Sequence, residues 1–164
     1  MKGNNPTFDA VREYFSNPDW QASQTKDRPI LNLQYKNSSN GTRQQWKCTA
    51  VVEEDLFDGK ITFFSFLPLK TSRDTSDTKI EEIAELLHRI NYVEDIGNFE
   101  ISYEIGQVRC KTGIEVVISE NIMPILIDSL VTNNIRLVKK YLPIIEQVNR
   151  GELTPVEAID NNDN

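Results

Sequence analysis

GNFEISYEIGQVRCKTGIEVV, residues 97–117, is the stretch whose reading decides the fold. Phe99, Ile101 and Tyr103 fall on one side of an extended backbone while Glu100, Ser102 and Glu104 fall on the other. Beyond Ile105-Gly106, Val108, Cys110, Thr112 and Ile114 alternate with Arg109, Lys111 and Glu115. Two half-buried strands joined by a tight turn satisfy this pattern, with Gly106 supplying the positive φ that such a turn needs. A loop of two or four residues sets Tyr103 opposite Val108, Ile101 opposite Cys110 and Glu100 opposite Lys111. A three-residue loop would set Tyr103 against Gln107 and mix apolar with charged side chains on one face, so it is rejected. The charged side reads as a solvated face, each opposed pair contributing about 0.2–1 kcal/mol.

After Ile118 the apolar period changes from two to nearly four. Ile122, Ile125, Leu126, Leu130, Leu137, Val138, Tyr141, Leu142, Ile145 and Val148 form a helical stripe, with Pro124 in its first turn. Asn133-Asn134 interrupts the stripe, and Pro143 removes the amide that would bond the Lys139 carbonyl. The expectation is one kinked helix or two helices broken near Asn133. Gly151 suits the closing cap, and Thr154-Pro155-Val156-Glu157 is a capping box that opens a short terminal helix.

At 164 residues the chain reads as one domain over 6–160 followed by a polar tail, 161–164. The net charge of −7 argues against phosphate-backbone binding, so nucleic acid is not an expected partner. No apolar run of about 18 residues and no charged-then-apolar leader is visible, so neither a membrane span nor a signal peptide is expected, and the expected compartment is the cytoplasm. Cys48 and Cys110, the only cysteines, both sit on the apolar phase of strands and read as buried, reduced thiols. With His88 as the sole histidine, no transition-metal ligand set assembles.

From the start of the chain, Asn5-Pro6 reads as cap and first turn of a helix carrying Phe8, Val11 and Phe15, which ends before Asn17-Pro18. Trp20 follows in the exit loop. Ile30–Tyr35 and Trp46–Glu53 alternate as strands, and Asp58-Gly59 is the strongest hairpin signal in the chain. With those two residues as the loop, Leu56 faces Ile61, Val52 faces Ser65 and Ala50 faces Leu67. One side of this hairpin carries Trp46, Cys48, Ala50 and Val52. The other carries Val51, Phe57, Phe64 and Phe66, so both faces are partly apolar and the second asks for a cover. Thr78-Lys79-Ile80-Glu81 then opens a helix whose stripe is Ile80, Ile83, Leu87 and Ile90.

The expected fold is α+β, a five-stranded antiparallel sheet with helices in the order α-β-β-β-α-β-β-α. FDAVREYF (8–15), WKCTAVVEED (46–55), GNFEISYEIGQVRCKTGIEV (97–116) and YLPIIEQVNRGELTPVEAI (141–159), with that element order, resemble the YbjN family of bacterial proteins. The resemblance spans about Phe8 to Ile159. It implies a fold similar to that of type III secretion chaperones, and a small acidic homodimer that binds other proteins or takes part in signalling regulation. It brings no active-site residue.

The functional expectation is accordingly a non-enzymatic protein-binding module, chaperone-like or regulatory, acting as a homodimer with an unidentified protein partner. No catalytic residue, metal ligand or cofactor is expected, since His88 lacks a signature partner and the seven glycines form no phosphate loop. The acidic run Glu53, Glu54, Asp55 and Asp58 reads as a solvated turn and lacks calcium-loop spacing. A small-molecule sensor domain and an uncharacterised enzyme are the alternatives. The expected partner or dimer surface is the strip Val51, Phe57, Phe64 and Phe66, or else the helix from Ile80 to Ile90.

Overall fold

The computed structural model describes residues 5–37, 44–54, 58–69, 77–117 and 123–161. Helix α1 (Pro6–Tyr14) is followed by strands β1 (Trp20–Gln24), β2 (Ile30–Asn37), β3 (Gln44–Glu54) and β4 (Asp58–Phe66). Helix α2 (Asp77–Val93), strands β5 (Asn98–Ile101) and β6 (Val108–Val117), and helices α3 (Met123–Asn149) and α4 (Pro155–Asp160) complete the order. The strands form one open antiparallel sheet in the order β1-β2-β3-β4-β6-β5.

The sheet therefore has six strands rather than five. The additional one, β1, lies where an exit loop was expected. Its sequence, WQASQ, has no repeated apolar alternation to betray it, and four of its five residues are exposed at the sheet edge. Trp20 still packs under the end of α1, 4.9 Å from the rings of both Phe15 and Tyr35.

Two hairpin registers also differ from expectation, each by an even number of residues, so the side chains that remain paired keep their faces. In the first, Val52 pairs with Ile61 and Ala50 with Phe63, placing Asp58 and Gly59 inside β4 instead of in a two-residue loop. Gly59 serves close packing: a Cβ there would stand 2.9 Å from Thr7 Oγ1, where α1 crosses the sheet. In the second, Ile101 rather than Tyr103 pairs with Val108, and Tyr103 stands exposed in a longer loop closed by Ser102 N–H to Gln107 O at 3.0 Å. Gly106 takes φ +65° in that loop, as the turn requires.

The inner face of the sheet, with Leu31, Leu33, Trp46, Cys48, Ala50, Val52, Ile61, Phe63, Phe99 and Val108, meets α1, α2 and α3 in one buried core. Phe15 stacks on Phe63 at 5.7 Å, and Tyr141 meets Phe99 edge-on at 5.8 Å. Helix α3 is continuous through Asn133-Asn134 and carries Pro143 inside it. Asn134, expected as a break, points into the core. Its Nδ2 reaches Phe63 O, Cys110 O and Thr112 Oγ1, each at 3.3 Å, which fixes α3 on the middle of the sheet. The Asn5 cap and the Thr154 capping box form as expected.

Candidate functional site

Four residues of sequence alternation decide what the outer face displays. On β4, Phe64 and Phe66 alternate with the buried Phe63 and Ser65, so they stand on the side away from the helices. Strand pairing places them in rows. One row runs Gln34, Lys47, Phe66, Arg109, Glu100; the next runs Asn32, Thr49, Phe64, Lys111, Asn98; a third runs Ile30, Val51, Thr62, Gly113. Ile30, Val51, Phe64 and Phe66 are half-buried and lie outside the core, and among the described residues no helix covers them. Phe57, expected in the same strip, lies outside the described residues.

Helix α2 does not supply the cover. Its Ile83, Leu86, Leu87 and Ile90 are buried in the core on the inner side, so its stripe is already used. Val51, Phe64 and Phe66 of the strip, by contrast, stay half-exposed.

The flank of the strip is charged and internally paired. Glu100 accepts from Arg109 at 2.6 Å and from Lys111 at 3.3 Å, so the pairing expected with Lys111 becomes a two-cation bridge. Partial burial tends to raise the Glu100 carboxyl, but bonds from Arg109 and Asn98 and the two nearby cations outweigh it and hold the group below the usual carboxylate range. The Arg109 guanidinium also lies 4.5 Å from the centre of the Phe64 ring. Glu53 and Lys60 pair at 3.8 Å farther along.

Gly113 adds an opening in this face. A Cβ built there would meet nothing nearer than 3.8 Å, and its φ is not in the left-handed region. A glycine in a strand interior weakens the strand and often marks a place where another backbone approaches. Nothing within the described chain makes use of it. Sequence reasoning missed both Gly113 and Ile30; the signal for Ile30 was its position out of phase with Leu31, Leu33 and Tyr35.

Other candidate groups are accounted for by packing. Cys48 and Cys110 are free and buried, on either side of Ser65 in one row of three strands. Burial pushes the Cys48 thiol up to about 12, against bonds from Ser65 and Trp46, and pushes Cys110 up as well. His88 is exposed and borders a groove of about 370 Å³ between α2 and α4, lined by Glu85, His88, Arg89, Tyr92, Val93 and Ile159. Arg89 is held by Glu85 at 2.6 Å, so no set of free polar groups converges there. Among the described residues there is no group of three or more potential metal ligands, and no helix is long and apolar enough to cross a membrane. Of the acidic run, the side chains of Glu54, Asp55 and Asp58 lie outside the described residues.

No family model, no curated protein and no solved structure matches the chain.

Proposed function

We propose that this chain is a non-enzymatic protein-binding module, chaperone-like or regulatory, that works as a homodimer in the cytoplasm and docks a protein partner on the outer face of its sheet. The observation that carries this reading is the helix-free patch of half-exposed Ile30, Val51, Phe64 and Phe66, spread over three neighbouring rows beside the unfilled Gly113. Apolar side chains gathered on one open face, with a charged rim at Lys47, Arg109, Lys111 and Glu100, have the layout of a protein contact with an apolar centre. The local stretches that resemble the YbjN family, and through it the type III secretion chaperones, support the same reading. Fold likeness alone does not fix function, so the weight rests on the face.

Affinity purification from the native host tests it, with wild type and a Phe64→Glu, Phe66→Glu double variant compared side by side. A protein retained by wild type and lost by the variant, with far-UV circular dichroism unchanged, supports the reading. An identical set of retained proteins contradicts it.

A further inference from the structure

The two edges of the sheet are finished differently. At the β5 edge, Asn91 of α2 turns its carboxamide onto the outward peptide groups of Phe99: Phe99 N–H donates to Oδ1 at 2.7 Å, and Nδ2 donates to Phe99 O at 2.9 Å. The amide stands where a further strand would bond, which is one way of protecting an edge from association. The β5 strand is also only four residues long and carries Glu100.

The β1 edge has no such device. Thr25 N–H donates to Ile30 O at 2.9 Å and Val52 N–H to Pro29 O at 3.0 Å. The alternation of antiparallel bonding then directs the peptide groups of Gln21 and Ser23 to β2 and those of Ala22 and Gln24 outward. No described group bonds the outward N–H or C=O of Ala22. Trp20–Gln24 is also the one strand of the six without a charged or proline residue, the usual guards of an exposed edge.

We infer that β1 is the self-association edge, and that two copies pair β1 to β1 antiparallel about a two-fold axis at Ala22. This rests on the homodimer reading above and specifies where the copies meet. In that register Ala22 faces Ala22 of the second copy, Trp20 faces Gln24 and Gln21 faces Ser23. About four backbone hydrogen bonds form, the Ala22 pair exchanging both of theirs. One feature favours a second copy as occupant: the paired segment is neutral, so two chains of net charge −7 meet without charge at the seam. The product is one continuous sheet of twelve strands whose outer faces lie side by side, leaving both Phe64–Phe66 strips free for the protein partner.

Sedimentation equilibrium at micromolar concentrations tests this with the full chain. Wild type is expected at twice 18.8 kDa. Ala22→Pro removes an outward amide that the monomer does not use, which an edge strand tolerates, and is expected to sediment as a folded monomer. Ala22→Lys and Ala22→Asp each place like charges across the axis and are expected as monomers that combine into a dimer when mixed. A monomeric wild type overturns the inference together with the homodimer reading. A dimer that persists in Ala22→Pro and in Ala22→Lys alone overturns the β1 edge and leaves the homodimer reading standing. Phe64→Glu, Phe66→Glu is expected to remain dimeric; its dissociation would move the seam to the outer face and overturn the inference.

Discussion

Gly59 and Thr7 show how a single position is set by contact and not by turn chemistry. Thr7 Oγ1 is fully buried and makes no hydrogen bond among the described residues, and it lies only 2.9 Å from where the Cβ of any other residue at 59 would go. Gly59→Ala is expected to cost about 1–3 kcal/mol through overpacking. Thr7→Ala is expected to cost no more than about 1 kcal/mol, because the buried γ-methyl it loses is offset in part by removing a hydroxyl that has no partner among the described residues. Combining them should recover most of the loss, a coupling that chemical denaturation of the four proteins would measure. The cysteines behave oppositely to reactive thiols. Burial raises both, so neither is ionised near neutral pH, and two strand spacings of about 4.8 Å each separate their backbones by more than a disulfide spans. Ellman's reagent should find no fast thiol in the native protein and two after denaturation; rapid native labelling would contradict their placement.

Among the elements, α2 and α3 are tied by Glu94, just past the end of α2. Its carboxylate accepts from Tyr141 Oη at 2.6 Å and Lys140 Nζ at 2.8 Å, with Arg136 at 3.6 Å. Burial tends to raise the group, but the bonds from Lys140 and Tyr141 and the charges of Lys140 and Arg136 prevail and hold it below its ordinary value of 4.5. A lowered folded pKa contributes stability that is complete above the ordinary value and is lost as pH falls through the folded one. Glu94→Gln is therefore expected to cost about 1–3 kcal/mol at pH 7, and thermal melting should show the gap to wild type closing below pH 4.5. Gly113→Val, on the opposite side of the sheet, is expected to stabilise by about 0.5–1 kcal/mol while weakening partner docking.

The order of most elements was legible in the sequence because periodicity reports faces directly: Phe8, Val11 and Phe15, the Trp46–Val52 alternation and the α3 stripe from Leu130 to Val148 bury as their spacing demands, whereas Ile125, expected in that stripe, is exposed in the first turn of the helix. Hairpin register was not legible, because a shift of two or four residues leaves the same side chains on the same faces, and pattern alone cannot choose among such shifts. Strand β1 was hidden for the converse reason. An edge strand with one packed side chain, Trp20, has no alternation to show. Asn134 misled because an amide inside a helix reads as an interruption, whereas its donors here serve carbonyls at the sheet centre.

At the scale of the whole molecule, a sheet packed on one side and open on the other makes neighbouring residues of one strand opposite in consequence. Phe63 is fully buried against Phe15, while Phe64 lies half-exposed under Arg109 and opposite Lys111. Thermal melting of Phe63→Glu and Phe64→Glu tests that one-sidedness most directly. A carboxylate at 63 would be buried without a partner, and the variant is expected to lose several kcal/mol or fail to fold. At 64 it would sit beside Arg109 and Lys111, and the loss is expected to stay within about 1 kcal/mol. Comparable, severe destabilisation by both substitutions would contradict an open outer face and the docking surface built on it.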